Sequence, residues 1–172
     1  MFLPTTRAEL DELGWEQLDV ILVTGDSYID SPFMGVAVIG KFLQDAGFKV
    51  GVIAQPDYVS ETDITRLGEP RLFWGVSAGS IDSMVANYTA TGRPRRADDY
   101  SPGGQNTKRP NRATLVYSNL IRRYFKDTVP IVLGSPDGGV TWGIIGEVEL
   151  APARPMGIMP YPLLLPDGTL LM

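Results

Sequence analysis

Two residue types are missing altogether: the 172-residue chain has no cysteine and no histidine. Without cysteine, disulfides, zinc–thiolate sites and iron–sulfur ligation by this chain are excluded. Without histidine, the commonest general base and the commonest transition-metal ligand are gone, and with them every Ser–His or Cys–His catalytic arrangement. Ser80 and Ser83 therefore have no partner that would make either a nucleophile. Long hydrophobic runs are lacking too, none approaching the roughly 20 apolar residues of a membrane-spanning helix. The opening Met1-Phe2-Leu3-Pro4 has neither a basic region nor a long apolar core, which argues against a signal peptide. No GxGxxG and no GxxxxGKS/T occurs, so a dinucleotide or P-loop nucleotide site has little support. Positive charge is the scarcer sign, with 15 Lys and Arg against 20 Asp and Glu, a net charge of −5. That balance weighs against nucleic acid as the main partner. The expectation is a cytoplasmic chain with no membrane partner.

What is present reads as a globular α/β unit. A 44% hydrophobic content with 20% charged residues is ordinary for a soluble domain. The stretch 18–57 organises the rest. Val20-Ile21-Leu22-Val23 is a short, β-branched run closed by Thr24-Gly25-Asp26, the pattern of a strand buried on both faces. Ser31-Pro32 then predicts an N-cap followed by proline at the first helical position, opening a helix over 33–46 that Gly47 ends. A second buried strand over 50–54 completes a β-loop-α-β unit, whose strands run parallel. The loop 25–31 then lies at the C-terminal edge of the sheet, where open α/β folds bind their ligands.

The remaining segments follow the same grammar as far as Gly134. Thr6-Arg7-Ala8-Glu9 is a capping box for a short helix through Leu13, with Trp15 packing it against the first strand. Ser60 opens a brief helix over 61–67. Residues 71–77 predict a third strand, 81–90 a weaker helix, and 113–125 a helix whose inner face carries Leu115, Leu120, Ile121 and Tyr124. Residues 130–134 predict a fourth parallel strand. Four such units make a mainly parallel, doubly wound, Rossmann-like sheet. Residues 91–111, rich in Gly, Pro, Ser, Asn and Arg, form a long loop. It either grips an anion through guanidinium forks or is a solvated loop balanced by Asp98 and Asp99, and base rates favour the latter.

Candidate ligand contacts gather at the predicted edge: Gly25, Asp26, Ser27 and Asp30 from the first loop, and Ser77, Gly79 and Asp82 from the exit of the third strand. Asp26 and Asp30 oppose a phosphate at the helix N-terminus, and Asp30 has a plainer role as a cap. Gly75, inside the third strand, marks a close approach of backbone, helix or ligand.

Several segments carry a family resemblance: FLPTTRAEL, LVTGDSYIDSPFMGVAVIGKFLQDAGFKVGVIAQPD, RLFWGVSAGSIDSMVANYTA, the YSPGG at Tyr100 to Gly104, and RPNRATLVYSN followed by PIVLG. In this order they resemble the N-terminal region of YgiQ-type radical SAM proteins, from Phe2 to Gly134. The resemblance implies a cobalamin-binding-like, Rossmann-like domain preceding a barrel. That barrel's CxxxCxxC motif would bind a [4Fe–4S] cluster and S-adenosylmethionine. None of the motif is present here. The DxHxxG histidine of some cobalamin proteins is absent too, so cobalamin is not expected.

Past Gly134 the grammar changes. Residues 135–172 hold six of the 14 prolines, no lysine and no sustained periodicity, and they depart from the family's continuation. Short hairpins are expected, for instance around Pro166-Asp167-Gly168. The expectation is a Rossmann-like domain over 1–134, truncated after residue 134, and an irregular tail over 135–172 that reads as out of frame. The chain would then be the accessory domain of a radical SAM iron–sulfur enzyme, inactive alone and partnered by the barrel of the same chain. The alternatives are a free-standing module binding a small ligand or corrinoid, and a ligand-free docking domain using the 91–111 loop.

Overall fold

The computed structural model describes residues 2–134, 142–144, 163–164 and 170–171. Strands β1 (Val20–Thr24), β2 (Val50–Ala54), β3 (Phe73–Ser77) and β4 (Ile131–Gly134) form a parallel sheet in the order β2-β1-β3-β4. The sheet is the doubly wound α/β arrangement that the apolar runs predict. Chain order reverses between β1 and β3, and their C-terminal ends open the crevice where such folds bind ligands. β5 (Trp142–Ile144) adds antiparallel to β4. β6 (Leu163–Leu164) and β7 (Leu170–Leu171) pair antiparallel on either side of Pro166-Asp167-Gly168. The remainder of the expected irregular tail lies outside the described residues.

Alternation along the strands divides the core. Ile21, Val23, Ile53, Trp74, Val76 and Ile131 face one side, where they meet Leu10 of α1 (Arg7–Glu12), Ile64 of α3 (Thr62–Thr65) and Ala113, Tyr117, Leu120 and Ile121 of α5 (Ala113–Tyr124). Val20, Leu22, Val50 and Val52 face the other side, where they meet Leu3 and Val36 of α2 (Gly35–Asp45). Burying strands on both faces is why they read as unbroken apolar runs. Trp15 packs on the α1/α3/α5 side, as expected.

Local chemistry explains where boundaries held and where they moved. Thr6 makes both capping-box bonds with Glu9. α2 begins at Gly35 rather than residue 33: the Ser31 carbonyl and hydroxyl accept from Met34 N–H and Phe33 N–H, closing a turn before the helix starts. Ser60 is not a cap, because its hydroxyl donates to Asp57 at 2.8 Å. On α5, Leu115 turns outward and Tyr117 inward. α4 (Ser83–Asn87) is shorter than predicted, since Tyr88 leaves the helix to bridge Pro94. Among the described residues no helix is long and apolar enough to cross a membrane.

Candidate functional site: a crevice locked by a buried ion cluster

The β1 exit is tight. Gly25 N–H donates to the Ser77 carbonyl at 3.2 Å, and a Cβ on Gly25 would collide with the Ala78 carbonyl oxygen. Only glycine lets the two strand exits lie this close. Asp26 N–H donates to Thr24 Oγ1 at 3.2 Å, turning the carboxylate inward, where Oδ2 accepts from Ser80 N–H at 2.5 Å. Gly79, at φ +114°, brings its own backbone against this carboxylate, and a Cβ there would collide with Asp26 Oδ1. The position thus excludes other residues twice over, by conformation and by contact.

The loop 91–111 supplies what the sequence did not announce. Arg109 lies under the two strand exits with Nη2 2.7 Å from Asp26 Oδ1 and 3.1 Å from Asp98 Oδ2. The side chains of Arg109, Asp26 and Asp98 are 0%, 1% and 2% exposed. The Asp26 contact is an ion pair without hydrogen-bond alignment, whereas Nε and Nη2 both donate to Asp98 and Nη1 donates to the Ala78 carbonyl at 2.8 Å. Burial alone would raise the Asp98 carboxyl. The Ser101 hydroxyl, the Tyr100 N–H and the Arg109 guanidinium outweigh it and hold the group below its ordinary value.

Further bonds tie the loop down. Ser27 donates through its N–H and its hydroxyl to the Tyr100 carbonyl, at 2.7 and 2.9 Å. Gln55, a non-glycine residue at φ 42°, donates to the Gly25 carbonyl and to Ser101 Oγ. Asn87 Nδ2 donates to the Arg109 carbonyl at 3.0 Å. The base-rate expectation of a solvated loop is corrected at Arg109 and Asp98, which are among its most buried residues. Arg95 and Arg96 remain exposed. No periodicity links Asp26, Asp98 and Arg109, and nothing in the sequence separates Arg109 from the loop's other arginines.

Above the cluster lies a crevice of about 150 Å³, lined by Thr24, Asp26, Ser77, Gly79, Ser80 and the first turn of α2. Of the predicted site residues, Asp26, Ser77 and Gly79 meet here. Gly25 and Ser27 sit beneath, holding the exits and the loop. Asp30 pairs with Lys41 at 3.1 Å, away from these walls, and does not cap α2. Asp82 is exposed and caps α4, accepting from Met84 N–H at 2.8 Å. Thr24, Ser80 and Met34 were missed, since nothing in sequence fixes which hydroxyls face a gap.

Comparison with known proteins supplies the frame. The family described as "Radical SAM N-terminal" matches residues 2–139. The chain belongs to it. A UPF0313 protein of Thermotoga petrophila is 66% identical over 134 residues, 78% of this chain and 24% of the relative. UPF0313 proteins of Fusobacterium nucleatum (59% identical, 74% of this chain, 22% of the relative) and Rhodopseudomonas palustris (53%, 77% and 20%) are similar as well. The chain spans about a quarter of the length of these relatives or less. No solved structure matches it.

A radical SAM N-terminal domain of this composition offers no thiolate, so the crevice's hydroxyls and carboxylate do not fit an iron–sulfur cluster. Among the described residues no group of three or more His, Cys, Asp or Glu is placed to hold a metal. The crevice's volume lies below the roughly 300 Å³ of pockets that enclose drug-sized molecules. What the site can do is hold a few-atom polar ligand against a fixed, buried carboxylate. Asp26 is not a free base, because both oxygens already face partners.

Proposed function

We propose that this chain is the non-catalytic N-terminal accessory domain of a larger cytoplasmic radical SAM iron–sulfur enzyme. The [4Fe–4S] cluster and S-adenosylmethionine belong to a barrel encoded with it, and neither nucleic acid nor membrane is a partner. The observation that carries this reading is the family match over residues 2–139 in a chain spanning 24% of its Thermotoga petrophila relative. In this reading residues 1–134 are the domain and residues 135–172 are an out-of-frame continuation, which accounts for a change of grammar straight after a buried strand. Sequencing the gene on both sides of the Gly134 codon tests it. Another frame encoding a cysteine-bearing barrel is the expected result, and uninterrupted DNA with no such frame contradicts it.

The crevice supports a second role, that of a small-ligand site, with Asp26, Ser77 and Gly79 as contacts and Gly25 and Ser27 as its supports. Asp30 and Asp82 lie off its walls. A corrinoid is not the ligand proposed. Filling the gap with Ser80→Leu should abolish any thermal upshift that a small polar ligand gives the wild-type chain. An upshift that survives the substitution places the ligand elsewhere.

A further inference from the structure

The two faces of the sheet are finished differently. α1, α3 and α5 all pack on one face, whereas α2 is the one described helix on the other. Beside α2 an apolar groove of about 400 Å³ runs across the sheet, lined by Leu22, Ile39, Leu43, Phe73 and Val132, with Leu72 and Pro130 at its mouth. Its floor passes over Gly75, whose register partners are Leu22 and Val132. A glycine there removes the side chain that would otherwise hold a neighbouring backbone away.

α2 itself has the sequence of a helix enclosed on most sides. Val36, Ala37 and Gly40 are buried, and Ile39 and Leu43 line the groove. Phe42 is 73% exposed, Val38 is half exposed on the same stripe, and Phe33 ahead of the helix is 90% exposed. A helix apolar around most of its circumference belongs between layers, not at a surface. A contiguous exposed apolar band marks an interaction site.

We propose that this face docks the part of the longer protein that follows the domain, which fills the groove between α2 and β4 with apolar side chains. The proposal rests on the accessory-domain reading above and names the surface that reading leaves open. Two observations select this occupant. Three-quarters of the Thermotoga petrophila relative lies outside the matched segment. The family match ends at residue 139, five residues beyond β4, whose Val132 forms one wall of the groove. β4 is thus both a wall of the groove and the last described strand within the matched segment.

The absence of cysteine makes the test direct. Phe42→Cys and Leu72→Cys report cover by their rate of maleimide labelling, with Val85→Cys, 57% exposed on α4, as the reference. Each is placed in the 172-residue chain and in a chimera joining residues 1–134 to the remainder of the Thermotoga petrophila protein, with labelling read peptide by peptide. The expected result is labelling about ten-fold slower at 42 and 72 in the chimera than in the chain, with 85 unchanged. Val38→Glu with Phe42→Glu in the chimera should restore fast labelling at 72. Equal rates in both proteins overturn the proposal. So does slow labelling in the 172-residue chain itself: slowing that persists on dilution assigns the groove to the chain's own tail, and slowing lost on dilution assigns it to a second copy. Iron–sulfur absorbance of the chimera is read separately. A covered groove without a cluster leaves the docking surface standing and removes the enzyme reading instead.

Discussion

The α5 side of the sheet and the α2 side are built from the same kinds of residue and end in opposite states. On the first, Trp74 is fully buried, donates to Thr128 Oγ1 at 2.8 Å and lies 5.2 Å from the Phe125 ring. On the second, Phe42 and Phe33 project into solvent beside an apolar groove. Burial of apolar area, not its presence, stabilises a fold. The first face therefore buries its aromatic side chains, whereas the second, although it has its own core of Leu3, Val20, Leu22, Val36, Val50 and Val52, also carries the exposed apolar band proposed for docking.

The sharpest way to break this contrast is Trp74→Ala. It should cost about 3–5 kcal/mol in chemical denaturation, because it opens a cavity and strands the Thr128 hydroxyl. A comparable loss is expected from Arg109→Met. That change leaves two buried carboxylates without their cation, for which about 3–5 kcal/mol is typical. Arg109→Met should also speed hydrogen exchange across residues 91–111, while Trp74→Ala should speed exchange through the sheet. Gly79→Val should destabilise the chain rather than simply fill the crevice. It forces a β-branched residue into a left-handed backbone against Asp26.

Acid gives a smaller effect. The Asp98 carboxyl is depressed in the folded state, so its contribution is fully present above its ordinary value of 3.8 and is lost as pH falls through the lower folded value. Melting below about pH 4 should therefore loosen the 91–111 loop first, and Asp98→Asn should flatten that part of the profile. Tyr117 gives the alkaline counterpart. Burial raises its phenol well above the ordinary 10, so the unfolded chain alone ionises and stability declines above pH 10. Tyr117→Phe should remove that decline. Smallest of all is Phe42→Ser, which should change the stability of the 172-residue chain by no more than about 0.5 kcal/mol.

How much of this was legible depends on the range of the interactions. The strands were readable because burial on both faces needs only local apolar runs, such as Val20 to Val23. The inner face of α5 was legible at Leu120, Ile121 and Tyr124 but misread at Leu115, which is exposed, because a tyrosine hydroxyl disguised Tyr117 as a surface position. The start of α2 was misread because Ser31-Pro32 has the composition of a cap yet closes a turn. The ion cluster was beyond sequence reading. Asp26 and Arg109 are 83 residues apart, and their meeting depends on the strand order and on where a Gly- and Pro-rich loop folds back. The place of the 25–31 loop at the C-terminal end of the sheet was legible, because parallel strands and a crossover helix fix it without any knowledge of side chains.

The claim on which the rest depends is that this domain serves catalysis supplied elsewhere. Anaerobic reconstitution with iron and sulfide, carried out side by side on the 172-residue chain and on the full-length Thermotoga petrophila relative, measures it most directly. The account predicts cluster absorbance and about four irons per chain in the relative, and neither in this chain, which has no thiolate to hold a cluster. A stoichiometric cluster on the 172-residue chain, or none on the relative, would contradict it.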